Sequence, residues 1–266
     1  MPYDTVKLIY FSPTRTTQKI LQGIAQGMPV GRIEHLDLTP PQMETQPFDE
    51  IADELTILGA PVYAGRLPIG AVQRLRRLKA REAPVIVVVV YGNREFEDAL
   101  LELKNLAGEQ GFRPIAAGAF IGEHSYSTNG TPIAVGRPDE ADLNKAREFG
   151  ERVFEKILNS QGMDRMSALE VPGNFPYKER MKRPIEAPTT QETLCILCGT
   201  CASVCPTAAV VVENAVITEP ERCILCQACV KNCPTGARVM EVERIKKVAD
   251  WLSTNYARRK EPEMFL

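Results

Sequence analysis

The chain has 266 residues, enough for one large domain or two ordinary ones. A formal charge of −2 gives no basic surface for a polyanion, which disfavours nucleic acid as a partner. Hydrophobic residues at 44% and charged residues at 25% are the balance of a soluble globular protein, and the longest apolar run, Val85 to Tyr91, is far too short for a membrane span.

Val6 to Phe11 reads as a buried strand. The loop Ser12-Pro13-Thr14-Arg15-Thr16-Thr17 follows, and then Ile20, Leu21, Ile24 and Ala25 recur at helical spacing. Hydroxyls and backbone N–H groups converging on a helix N-terminus suit an anion; simple helix capping is the rival reading. Arg32 to Leu38 is a candidate second strand, and Glu54 to Leu58 a third that runs into Pro61-Val62-Tyr63-Ala64-Gly65-Arg66. Ala71, Val72, Leu75 and Leu78 mark a helix whose other face carries Arg74, Arg76, Arg77 and Lys79. Val85 to Val90 is β-branched throughout and predicts a central strand, followed by Tyr91-Gly92-Asn93-Arg94-Glu95-Phe96. Ala99, Leu100, Leu103 and Leu106 give a helix, and Ile115 to Ile121 a fifth strand that leaves through His124 and Tyr126. Pro138, Asp139 and Glu140 open a last helix. This alternation predicts an α/β fold, a doubly wound parallel sheet of five strands. Ligands bind such sheets outside the strands' carboxyl ends, where the loops after strands one, three and four gather.

Residues 161–190 read as an interdomain linker, with four prolines among Lys178, Arg180, Lys182 and Arg183, whose charges read as solvated. Residues 241–266 read as a C-terminal helix marked by Val242, Ile245, Val248, Ala249 and Leu252.

Between them, residues 191–240 hold all eight cysteines. Cys195, Cys198, Cys201 and Cys205 precede Pro206; Cys223, Cys226, Cys229 and Cys233 precede Pro234, each 28 residues after its counterpart. Thiolates spaced in this way, each run ending on a proline, suit cubane iron–sulfur clusters. Zinc and disulfides are the rivals; the set exceeds a four-ligand zinc site, and the chain is not a short secreted scaffold.

With these motifs the chain resembles the flavodoxin–ferredoxin fusion family. The resemblance implies a flavodoxin-like FMN-binding domain over residues 1–160 and a small α+β bacterial ferredoxin-like domain with two [4Fe-4S] clusters over residues 191–240. It implies one cluster on Cys195, Cys198, Cys201 and Cys233, and the other on Cys223, Cys226, Cys229 and Cys205. It matches Ser12, Thr14, Arg15, Thr16 and Thr17 to the FMN phosphate loop, with Arg15 in place of the usual glycine. It sets the flavin ring between Tyr63, Ala64, Gly65 and Arg66 on one side and Tyr91, Gly92, Asn93 and Phe96 on the other. Gly65 is then a candidate for tuning the flavin N5 hydrogen bond, and Tyr63, Tyr91 and Phe96 are stacking groups or ordinary packing. His124 could serve as a proton relay or be a satisfied loop residue; His35 offers no site.

The expected function is electron transfer between the clusters and FMN, linking a low-potential donor to a redox partner. No G-x-G-x-x-G follows a strand, so a reductase or ferredoxin partner is needed. A flavin-dependent reductase with a pocket under Gly122 to Pro132 is the alternative; a redox sensor would need an output domain. With no signal core ahead of the first strand and with reduced cysteines, the expected compartment is the cytoplasm.

Overall fold

The computed structural model describes residues 3–160, 167–181 and 185–266. Strands β1 (Thr5–Tyr10) and β2 (Arg32–Asp37) are followed by a two-residue β3 (Ile51–Ala52) and by β4 (Leu55–Pro61). A short β5 (Ala80–Arg81) precedes β6 (Ala83–Tyr91) and β7 (Phe112–Ile121). Helices α1 (Thr16–Gln26), α2 (Ile69–Leu75), α3 (Ala99–Glu109) and α4 (Glu140–Asn159) alternate with them. In space the parallel strands run β2-β1-β4-β6-β7, with the reversal of order at β1. This is the flavodoxin-like 2-1-3-4-5 order, so the ligand edge lies at the carboxyl ends of β1, β4 and β6.

All nine residues of β6 are buried because both of its faces are covered. One face packs Val85, Val87 and Val89 against Leu75 of α2 and Leu100 and Leu103 of α3. The other packs Ile86, Val88 and Val90 against Ile20, Leu21 and Ile24 of α1 and Phe149 and Val153 of α4. Strand pleat sends alternate side chains to opposite faces, and helical spacing at period 3.6 supplies the matching stripes. Gly59 in β4 is required by this packing, since a Cβ there would meet Leu21 Cδ1 at 2.5 Å and Thr17 Cγ2 at 2.9 Å. Helix α4 starts on a reciprocal cap: Asp142 N donates to Asp139 Oδ1 and Asp139 N to Asp142 Oδ2, both at 3.0 Å.

Four expectations change. The sheet has six strands, because β12 (Glu263–Phe265) pairs antiparallel with Ala117–Ala119 of β7. This tail covers an edge that would otherwise expose unpaired backbone groups. Residues 241–266 are accordingly a helix, α7 (Glu243–Asn255), plus that strand.

The linker is a strap packed on the α/β domain. Leu169 enters the core, and Asp98 accepts from Asn174 N at 2.8 Å and from Lys178 N at 2.6 Å. Its basic side chains are partnered: Lys178 Nζ lies 2.5 Å from Glu97 and Arg180 Nη2 2.7 Å from Glu102. Lys182, Arg183 and Pro184 lie outside the described residues.

Finally, Arg74, placed with Arg76, Arg77 and Lys79 on the face of its helix away from the apolar stripe, is itself buried. It is 1% exposed, between α2 and the loop after β2.

Candidate functional site

The cysteine segment folds as two copies of one unit. Strand β8 (Thr189–Thr190) pairs with β11 (Arg238–Val239), and β9 (Val210–Val212) with β10 (Val216–Thr218). Single-turn helices α5 (Thr200–Ser203) and α6 (Ala228–Lys231) lie 28 residues apart. Left-handed residues recur at the same interval: Leu197 (φ 53°) and Gly199 (φ 77°) match Leu225 (φ 56°) and Gln227 (φ 62°). These reversals fold each C-x-x-C-x-x-C run inward, and the turn after each proline repeats them at Ala208 (φ 49°) and Gly236 (φ 69°).

Each unit borrows a cysteine from the other. One hollow is lined by Cys195, Cys198, Cys201 and Cys233. The other is lined by Cys205, Cys223, Cys226 and Cys229. None of the eight cysteines is in a disulfide. Among the described residues no three His, Cys, Asp or Glu side chains converge on one ion-sized point. The thiols line the two hollows, and donors point at several of them. Ala209 N reaches Cys205 Sγ at 3.2 Å, Leu225 N reaches Cys223 Sγ at 3.4 Å, and Thr200 Oγ1 lies 3.3 Å from Cys198 Sγ. Burial pushes the Cys226 thiol up, so loading it with metal must release a proton. Burial also raises Cys201 and Cys229, one in each set, and the Arg238 guanidinium acts against it at both.

The two hollows differ in position. The first is on the outside, with Cys198 exposed and Ile196 and Leu197 at 65% and 44% exposure. The second adjoins the α/β domain: Ile224 packs on its core, and Arg74 Nη2 donates to the Pro206 carbonyl at 2.6 Å. Lys231 bonds Glu123 and the Ser127 carbonyl, both at 2.7 Å.

At the sheet's carboxyl edge, Ser12 to Arg15 form a tight turn closed by Arg15 N donating to Ser12 O at 3.0 Å. Arg15 has φ 64° at the N-cap of α1, which is the reason glycine suits this position. Its side chain is exposed. Ser12 Oγ accepts from Gln18 N at 3.1 Å, and Ser12 N donates to Thr39 Oγ1 at 2.7 Å. Thr14 and Thr16 are half-buried, whereas Thr17 is buried with its hydroxyl unpaired. An orphaned hydroxyl in the first turn of α1 fits an anion held by the loop.

The other edge residues divide. Tyr63 and Arg66 pair across a turn in which Ala64 and Gly65 both have positive φ, and the Gly65 carbonyl accepts from Asp98 N at 3.1 Å. Burial first, then Cys226, Tyr126 and Cys223, raise the Tyr63 phenol well above the ordinary range. Arg66 points elsewhere, forking onto Glu102 with both bonds at 2.8 Å. Tyr91 and Phe96 are core residues, 3% and 5% exposed, with ring centroids 5.5 Å apart. Gly92 lies beneath the His124 ring, where a Cβ would meet Cδ2 at 2.2 Å. Asn93 holds the C-terminal tail, donating to the Tyr256 and Arg258 carbonyls at 2.6 and 2.9 Å. His124 Nδ1 accepts from Tyr126 N at 3.0 Å, and burial, with Lys231 and Arg94 nearby, lowers its pKa to about 4. Burial pushes Tyr126 up to about 12. His35 Nδ1 lies 3.3 Å from the Tyr10 hydroxyl.

Sequence reasoning missed Arg74, Thr39 and Arg238. Arg238 had a signal: it occupies the repeat position held by Val210, 28 residues earlier. The segment under Gly122 to Pro132, considered for a substrate pocket, instead carries α7, whose Ala249 and Leu252 pack on Ile133.

Residues 194–237 match the 4Fe-4S dicluster domain family. Among solved structures, the chain is similar to a flavodoxin from the domain Archaea at 12% identity and TM-score 0.37, covering 58% of this chain and 99% of that one. A Fusobacterium nucleatum flavodoxin bound to flavin mononucleotide gives 17% identity and TM-score 0.37, covering 58% and 96%. The rubredoxin:oxygen oxidoreductase of Desulfovibrio gigas gives 12% identity and TM-score 0.39, covering 60% and 38%. No curated protein matches the chain. Among the described residues no helix is long and apolar enough to cross a membrane. Strand order and the matched cysteine segment together make this chain a flavodoxin-like α/β domain joined to a 4Fe-4S dicluster domain.

Proposed function

We propose that the chain is an electron carrier of the cytoplasm that holds two [4Fe-4S] clusters and FMN. Cys195, Cys198, Cys201 and Cys233 would hold the outer cluster, and Cys205, Cys223, Cys226 and Cys229 the inner one. Bound there, the clusters supply one-electron steps and the flavin one- or two-electron steps.

The observation that carries this reading is the position of Ile224. It lies between Cys223 and Cys226, lines the inner hollow and packs on the core of the α/β domain, whose β1, β4 and β6 end at the edge where such sheets bind ligands. A flavin at that edge and a cluster in the inner hollow would thus be neighbours. Thr17 supplies an unpaired hydroxyl for the phosphate, with the loop's backbone N–H groups and the half-buried Thr14 and Thr16 beside it. Arg66, Tyr91, Asn93 and Phe96 support that edge from behind through Glu102, the core and the tail. The exposed Ile196 and Leu197 beside the outer hollow would face a protein redox partner.

Anaerobic purification with iron, sulfide and flavin quantified tests the assignment. Eight irons and one FMN per chain are expected, and reduction of the iron–sulfur chromophore should pass on to the flavin. Bound zinc, or a flavin that stays oxidised when the clusters are reduced, would reject it.

A further inference from the structure

Arg238 is 3% exposed and lines both cysteine hollows. Its guanidinium donates to Thr190 Oγ1 at 2.7 Å, Thr218 Oγ1 at 3.0 Å and Cys229 Sγ at 3.8 Å, and its Nε has no partner. Among the described residues no carboxylate lies within ion-pairing distance of it, although the chain pairs its other buried arginines, Arg74 with Glu44 and Arg137 with Asp142. A desolvated cation surrounded only by neutral groups is costly, and proteins keep one only where an anion compensates it. The repeat sharpens the point: the equivalent position in the first unit holds Val210, buried and apolar, so the fold of the unit does not itself need an arginine.

We propose that Arg238 is a counter-ion shared by both clusters, and that the anion missing from its surroundings is the pair of thiolate-ligated groups on either side. This rests on the two-cluster reading above. Adding an electron makes a cluster more negative, so a fixed positive charge beside it favours the reduced form. One guanidinium between two sites acts on both and offsets part of the repulsion that the first added electron exerts on the second. No bond breaks; in the test below, dithionite supplies one electron to each cluster.

The test uses the anaerobically prepared full chain and its Arg238→Gln, Arg238→Met and Arg238→Lys variants. Iron and sulfide are counted, and the clusters are titrated with dithionite under electron paramagnetic resonance. With eight irons retained, R238Q and R238M should lower the reduced-to-oxidised ratio of both clusters at a fixed potential by about tenfold, or ~59 mV for a one-electron centre. R238K should stay near the parent. Unmoved potentials, or a shift in one cluster alone, would overturn the shared counter-ion while leaving the two-cluster reading intact. If the neutral variants load poorly, full loading of R238K with parental potentials supports the charge, and equally poor loading of R238K overturns it in favour of shape. A parent protein with fewer than eight irons overturns the two-cluster reading, and this proposal with it.

Discussion

The Nη2 of Arg74 donates to the carbonyl oxygen of Pro206, tying the core of the sheet domain to the residue after Cys205. The same guanidinium also bonds the Leu38 and Thr39 carbonyls, both at 2.8 Å, and lies over the Phe11 ring. Replacing Arg74 by Met would leave three carbonyls unpaired, each costly in a buried setting. R74M should lose about 3 kcal/mol of stability, measured by urea unfolding. R74K should recover only part, because a single ammonium cannot reach as many acceptors as the planar fork.

Iron removal should unfold one unit and spare the other. The cysteine segment's own apolar core comprises little more than Cys201, Cys205, Ala209, Val210 and Cys229, too little to hold it without ligands. Hydrogen exchange on chelator-stripped protein should show residues 195–239 losing protection while β4 and β6 keep theirs. Uniform loss across the sheet would contradict this.

On the proposed assignment of FMN to the first loop, Thr17 and Arg15 separate flavin binding from stability. Thr17→Val removes a buried hydroxyl that has no protein partner, so the flavin-free protein should be at least as stable as before. FMN affinity, followed by flavin fluorescence quenching, should fall about tenfold or more, the worth of a hydrogen bond to a charged group. Arg15→Gly should stabilise the flavin-free protein by about 1 kcal/mol by relieving a left-handed side-chain conformation.

His124 sets an acid limit. Its folded pKa, about 4, is below the ordinary value of 6.5, because burial and the nearby Lys231 and Arg94 disfavour the cation. The unfolded chain therefore binds the proton first, so stability falls as pH drops from about 6.5 towards 4. The loss should be about 3 kcal/mol, and H124Q should show a flatter profile over the same window. Parallel profiles for the two proteins would remove His124 as the cause.

The parallel core was legible because Val85 to Val90 and the helical stripes of α1 and α4 carry strong periodic patterns. The cysteine runs were legible because their spacing repeats without a gap. The role of Arg74 was not legible because its acceptors, Leu38, Thr39 and Pro206, come from distant parts of the chain. Asn93 and Arg66 were matched to the flavin loops through the family resemblance, and a loop match does not say where a side chain turns: here Asn93 holds the tail and Arg66 holds Glu102. Strand β12 was missed because three residues carry too little pattern, yet Met264 and Phe265 do point to opposite faces of the sheet.

That last strand has a mechanical consequence. The iron–sulfur unit is anchored twice to one body: upstream through the strap on Asp98, downstream through Asn93 and the pairing of β12 with β7. A module clamped at both flanks has no swing to carry charge from site to site. The spacing between Ile224 of that module and the sheet core it packs on is thereby fixed, and lengthening either flank should loosen it.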